Sequence, residues 1–198
     1  MSKGTATRQA VLDEAARVAS RVGLGGLTIG SLAASTQLSK SGLFAHFQSK
    51  ESLQLQLLDH TRARFIDLVV RPALAAPRGE PRMRELFGRW LAWDTDGLPG
   101  GCLFVAASAE YDAQPGPLRD RLAQDQRDWL DTIAQVFRTG VAEGQFRPDA
   151  DPAQFAYDLH GTMLAYHHAS RLLDDPDAAA RATRAFEALL LAARPPVS

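Results

Sequence analysis

With 198 residues, 45% hydrophobic side chains and a formal net charge of −1, the chain has material for a sizeable core, as one large helical domain or as a small domain joined to a larger one. Its one cysteine excludes an intrachain disulfide framework, and no run of about 18 uncharged apolar residues is available to span a bilayer. The near-neutral total conceals an asymmetry: residues 1–50 carry Lys3, Arg8, Arg17, Arg21, Lys40 and Lys50 against only Asp13 and Glu14, a surplus of four that leaves −5 for the remainder. A basic head on an acidic body suits contact with nucleic acid. The opening residues MSKGTATRQA lack the apolar centre of a secretory signal, so a cytoplasmic protein is expected.

From Thr7, the apolar set Val11, Leu12, Ala15, Ala16, Ala19 and Val22 recurs at helical spacing, and Gly23 stands where a glycine would stop a first helix. The stretch Gly23-Leu24-Gly25-Gly26 is read as a turn. A phosphate-binding G-x-G-x-x-G needs a preceding strand and a third glycine, and that place holds Thr28. Thr28 can cap a short second helix with Ile29, Leu32 and Ala33 on one face; Ser35-Thr36-Gln37 suit a helix interior poorly, and Ser39 offers a second cap after the single apolar plug Leu38. The third helix, Lys40 to about His46, carries Leu43 and Phe47 inward with Phe44 beside them, leaving Lys40, Ser41, Gly42, Ala45 and His46 outward. Two short helices about a tight turn, the second with a small polar and basic outer face, describe a helix-turn-helix.

Ser49 caps a fourth helix expected to run from Lys50 to Val70, about 30 Å at 1.5 Å per residue, and to stop at Pro72. Residues Pro72 to Pro81 read as a linker. Met83, Leu86, Phe87, Trp90 and Leu91 mark a fifth helix ending near Asp96–Gly101, and Cys102 to Ala109, apolar around its circumference apart from Ser108, a sixth expected to be buried on all sides. Leu118, Leu122, Trp129, Ile133, Val136, Phe137 and Val141 trace a seventh that stops at Gly144; Phe146 to Pro152 is a turn with Asp151 as the next cap. Phe155, Leu159, Met163, Leu164 and Tyr166 belong to an eighth, and Ala182, Ala185, Phe186, Leu189 and Leu190 to a ninth. No strand-like alternation competes, so the fold class is all-α: a three-helix helix-turn-helix domain over residues 1–48 and a helical bundle over 49–198, about nine helices in all.

The pattern Thr28, Ile29, Leu32-Ala33, Leu38-Ser39-Lys40, Leu43-Phe44, His46-Phe47 and Ser49-Lys50-Glu51 resembles the N-terminal DNA-binding domain of the TetR family of transcriptional regulators over residues 8 to about 60. The chain departs from the family at Gln37, where Gly is common, at Ser41-Gly42, where Gly-Thr is common, and at Phe44, where Tyr often places a hydroxyl on a DNA phosphate. Gln37 must therefore turn without glycine's freedom at positive φ. The resemblance implies DNA contact by Thr28, Ser39, Lys40, Ser41, Gly42, Phe44, His46 and Lys50. Lys40 is placed for a base edge or a phosphate, and Thr28, His46 and Lys50 for the backbone. It further implies a regulator, in the first instance a repressor, that leaves its operator when a small effector binds. Such a protein is a homodimer through the eighth and ninth helices, with an effector pocket among helices four to eight. Trp90, Phe104, Ala107, Tyr111, Trp129, Ile133 and Met163 could line that pocket for an apolar or aromatic effector, although aromatic residues at helical spacing are also ordinary core.

Other chemistry finds less support. Cys102 follows Gly100-Gly101 at a helix start, where a dipole can lower a thiol's pKa, but its apolar surroundings suit a packed side chain better. His160 and His167 stand about 10 Å apart along one helix, too far to chelate one ion unaided, and His167 and His168 face different ways, so no metal and no cofactor are expected. There is no G-x-S-x-G, H-E-x-x-H or P-loop lysine, so an enzyme is not expected; the alternative to a regulator is a helical small-molecule-binding or adaptor protein with a vestigial helix-turn-helix.

Overall fold

A computed structural model describes residues 3–196. The described chain forms nine helical rods: α1 Lys3–Val22, α2 Ile29–Thr36, α3 Lys40–Phe47, α4 over 50–75, α5 over 80–97, α6 Leu103–Tyr111, α7 Pro117–Ala142, α8 Pro152–Arg171 and α9 Ala178–Ala193. It divides into two compact units, one made of the chain up to Arg64 with Asp96–Asp125, the other of Phe65–Thr95 with the chain from Gln126 onward. Both α4 and α7 therefore contribute residues to each unit.

The expected stop at Pro72 does not occur. Rod α4 continues through Arg71–Ala75, after a π-helical turn at Ile66–Val70 in which the Arg71 N–H donates to the Ile66 carbonyl. Proline has no N–H to donate four residues back, and its ring crowds that carbonyl. A one-residue widening lets the rod pass the obstruction. The Leu68 carbonyl, the one Pro72 cannot serve, accepts instead from the Arg89 guanidinium at 3.4 Å. The linker shrinks to residues 76–79, because Pro81 lies in the first turn of α5, where an N–H is unneeded. A second π turn, Trp93–Gly97, ends α5.

In the first unit, Val11, Leu12, Ala15, Ala16 and Ala19 of α1 are buried along with Leu24, Leu27, Leu32, Leu43, Phe47, Leu53, Leu57 and Leu58. Helix α6 is not buried on all sides: Leu103, Phe104, Ala107 and Tyr111 are, whereas Val105, Ala106 and Ser108 are half-buried and Ala109 is exposed. Its N-terminus approaches α1 so closely that a Cβ on Gly100 would stand 1.7 Å from the Ser20 carbonyl oxygen, leaving space for glycine alone. Cys102 is buried beside this contact, 3% exposed.

Aromatic stacking organises the second unit. Phe137 stacks on Phe146 at 4.6 Å and on Phe155 at 4.3 Å, and Phe87 on Phe186 at 4.3 Å. Phe146, which the sequence reading places in a turn, is 1% exposed and a core member. Its loop folds back onto α7, where Gly140 has no Cβ to strike the ring 2.4 Å away. Helix α8 packs along α9, and Leu164, grouped above with the inward residues of the eighth helix, faces outward.

Candidate nucleic-acid interface

Local capping sets the geometry of α2 and α3. The Thr28 hydroxyl accepts from the Ser31 N–H at 3.0 Å while the Thr28 N–H donates to the Ser31 hydroxyl at 3.1 Å, a reciprocal box that satisfies two donors at the helix start. At the other end, the Thr36 hydroxyl donates to the Leu32 carbonyl at 2.7 Å, so Ser35 and Thr36 close the last turn of α2. Gln37 then turns the chain in the left-handed region, φ 57° and ψ 20°. The strain foreseen for a non-glycine residue here is present in the fold. Ser39 restarts the helix, its hydroxyl accepting from the Gly42 N–H at 3.1 Å. A Cβ on Gly42 would press on that same hydroxyl oxygen at 3.1 Å, so the glycine keeps the cap open as well as leaving backbone accessible.

This packing turns one face of α3 outward. Leu43 and Phe47 are fully buried, while Lys40, Ser41, Ala45 and His46 are exposed and Gly42 half-buried. Phe44 does not lie beside the inward pair as expected: its ring is 58% exposed, on the outer face one turn after Lys40. An α-helix with a cation at its N-terminus, two hydroxyls and a projecting ring has the dimensions and the chemistry of a major-groove reader. Thr28 and Ser39 are exposed at the starts of α2 and α3, where capping and phosphate contact are compatible. Lys50 is exposed too, but its ammonium also donates to the Gly25 carbonyl at 2.5 Å and so ties α4 to the α1–α2 turn.

That turn is held by residues absent from the expected site. The Glu110 carboxylate of α6 accepts from the Leu24 N–H at 2.9 Å and the Gly25 N–H at 2.7 Å. The glycine-rich turn therefore does cradle an anion, one supplied by the chain itself. Gln54 of α4, itself buried, donates to the Leu24 carbonyl at 2.7 Å and to the Tyr111 hydroxyl at 3.1 Å. Burial, then the neighbouring Glu110 charge, raises the Tyr111 phenol above its ordinary value, keeping it protonated. Farther along, Asp13 of α1 accepts from Arg64 at 2.7 Å and meets His60 Nε2 at 2.9 Å. No sequence pattern singles out Glu110, Gln54 or His60, because each acts through a partner at least 30 residues away.

The seven residues proposed to line an effector pocket are all buried. Phe104, Ala107 and Tyr111 belong to the first unit, and Trp90, Trp129, Ile133 and Met163 to the second. In the second unit, Trp129 meets Phe65 edge-on at 5.0 Å and Trp90 meets Tyr166 at 6.1 Å. The histidines considered as ligands part company: His167 Nδ1 lies 2.6 Å from the buried Asp94 carboxylate, whereas His160 lines a groove of about 860 Å³ formed by α8 and α9, with Tyr157, Leu164 and Leu189. Burial lowers the His160 pKa. Among the described residues there is no group of three His, Cys, Asp or Glu side chains placed to hold a metal ion, and no helix long and apolar enough to cross a membrane.

Comparison with known proteins matches both parts of the chain. Residues 11–57 match the family described as bacterial regulatory proteins, tetR family, and residues 79–186 match the tetracyclin repressor-like C-terminal domain. No curated protein matches the chain significantly. Among solved structures, the chain is similar to a TetR transcriptional regulator from Chloroflexus aurantiacus, with 27% identity, 96% of each chain covered and a TM-score of 0.84. It is similar in fold to a TetR-family regulator from Streptomyces coelicolor, at 21% identity, 94% and 95% coverage and a TM-score of 0.81. The same holds for AibR, solved in complex with isovaleryl coenzyme A and operator DNA, at 21% identity, 96% and 100% coverage and a TM-score of 0.72.

Proposed function

The chain belongs to the TetR family of transcriptional regulators, and from that premise we propose that it is a repressor that leaves its operator when a small apolar or aromatic molecule enters the C-terminal helices. The observation that carries the reading is the outer face of α3: Lys40, Ser41, Gly42, Phe44 and His46, with Thr28, Ser39 and Lys50 at neighbouring helix starts. In this reading residues 1–48 contact DNA, residues 49–198 bind effector and pair the subunits, and the protein binds without catalysing a reaction. It works in the cytoplasm, where its DNA is.

The partner is a second copy of the chain joined through α8 and α9. Their exposed Tyr157, Leu164 and Leu191 support this, since apolar side chains of that size facing outward are otherwise costly to leave wet. Two recognition helices in such a dimer enter successive major grooves about 34–36 Å apart, so the operator is near-palindromic. AibR, solved with both a ligand and operator DNA, supports the pairing of these two activities in one such fold. Release requires an effector that prefers the DNA-incompetent form; moving the equilibrium from 1:99 to 99:1 takes about 5.5 kcal/mol of differential affinity. Rod α4 is the covalent route for that preference, because only Gln48 and Ser49 separate it from α3 and it ends in the second unit.

The test is fluorescence anisotropy with the DNA upstream of the chain's own gene. Saturable binding of a near-palindromic duplex at least a hundredfold tighter than a scrambled one, with release by an apolar compound, is expected. Equal affinity for both duplexes at all salt concentrations would refute the regulator reading.

A further inference from the structure

Two buried indoles in the second unit hold hydrogen-bond donors that nothing in the protein satisfies. Trp93 is 4% exposed and Trp129 8%, and neither Nε1 has a hydrogen-bond partner. Both rings meet the same side chain edge-on: Phe65 lies 5.4 Å from Trp93 at 80° and 5.0 Å from Trp129 at 82°. An indole nitrogen can only donate, so no rotation of either ring converts it into an acceptor for the other. A buried donor without a partner forfeits its hydration for no return, which is why native interiors hold few of them. The Tyr166 hydroxyl of the same unit, by contrast, is served by Thr95 at 2.8 Å.

The backbone is irregular at the same place. Phe65 is the last α-helical residue before the π turn Ile66–Val70, and Trp93 is the first residue of the π turn Trp93–Gly97. A proline stands two residues past each turn, Pro72 past the first and Pro99 past the second, and the Thr95 carbonyl that Pro99 cannot serve accepts from Arg171 at 3.1 Å as the Leu68 carbonyl does from Arg89.

We propose that the Trp93 and Trp129 indole N–H groups, beside the Phe65 ring, are the polar anchor of the effector site, and that the effector is an apolar or aromatic molecule bearing an acceptor oxygen, carbonyl or carboxylate. The proposal rests on the effector-release reading above and narrows its ligand chemistry: a plain hydrocarbon of equal size leaves both donors unserved. Discrimination of this kind is stronger than that of an apolar wall, because the site's own unpaired groups oppose the wrong ligand.

Three probes separate the possibilities: acetophenone for a neutral carbonyl, benzoate for a carboxylate and cumene as the shape-matched hydrocarbon. Full-length protein labelled with ¹⁵N at the tryptophan indoles gives one cross-peak for each of its three tryptophans, assigned with Trp90→Phe, Trp93→Phe and Trp129→Phe. Acetophenone or benzoate should move the Trp93 and Trp129 peaks downfield in a saturable way and leave Trp90 nearly in place, while cumene should not. Trp93→Phe or Trp129→Phe should weaken the effective probe about tenfold. Failure of both oxygen-bearing probes to move either peak, or equal binding of cumene, overturns the proposal, as does a hydrogen-bonded indole shift already present in the free protein. Operator release, followed on the same samples by anisotropy, reads the broader function separately. Indole shifts without release would leave the anchor standing and remove its regulatory role, whereas release by cumene with unmoved indoles would do the reverse.

Discussion

Removing the Glu110 carboxylate should loosen the turn that leads into the DNA-reading helices. The carboxylate receives two backbone N–H groups, Leu24 at 2.9 Å and Gly25 at 2.7 Å. Hydrogen bonds to a charged group contribute about 1.5–3 kcal/mol each, and the partial exposure of Glu110 places these near the lower bound. Glu110→Ala should therefore cost about 3 kcal/mol, less whatever water recovers at Gly25, which is half-buried; Leu24 is buried and recovers little. At about 2–4 °C per kcal/mol for a chain of this length, the full 3 kcal/mol lowers the melting temperature by roughly 6–12 °C, and by less where water recovers the Gly25 bond. Glu110→Gln keeps one acceptor and sets an amide N–H against a backbone N–H, so it should lie between wild type and alanine. Urea denaturation followed by circular dichroism measures the stability, and operator anisotropy below the transition measures the consequence for Thr28 and α2, which begin three residues after Gly25. A loss under about 0.5 kcal/mol for Glu110→Ala would refute the reasoning, since it would mean that water replaces both bonds at no cost.

Lys50→Ala should weaken binding to all DNA and reduce the salt dependence by about one counterion, whereas Lys40→Ala should also change base preference; equal losses on specific and random duplexes would remove Lys40 from base reading. Gln37→Gly should raise stability by about 0.5–1 kcal/mol, because φ 57° is free of strain for glycine, and thermal melting with unchanged operator affinity checks it. Stability should also fall in acid through Glu80, whose pKa is held below its ordinary 4.5 first by the hydrogen bond from Arg194 and then by that from Arg84. A depressed folded-state value means that the contribution is complete above about 4.5 and is lost as pH falls from there through the folded pKa. Glu80→Gln should flatten the acid limb of a stability–pH curve, and an unchanged limb would exclude the Arg194–Glu80–Arg84 cluster as its source.

The helices and the outward side of α3 were legible in the sequence because they rest on local physics. Caps such as Thr28, Ser39 and Asp151 bond N–H groups two or three residues away, and apolar spacing selects the buried side of α1, α3 and α7 whatever lies opposite. The left-handed turn at Gln37 was also implied, since the helix-turn-helix demands it there. Tertiary structure decided what depends on partners distant in sequence. Pro72 continues a helix only because a π turn widens the rod and Arg89 takes up the stranded Leu68 carbonyl. Phe146 is core only because its loop returns to Phe137 and Phe155. Glu110 holds the glycine turn from 85 and 86 residues away, and the indoles of Trp93 and Trp129 meet across one phenylalanine. Spacing along a chain records which face of a helix avoids water, and it carries no record of which distant group will complete a hydrogen bond or leave one unmade.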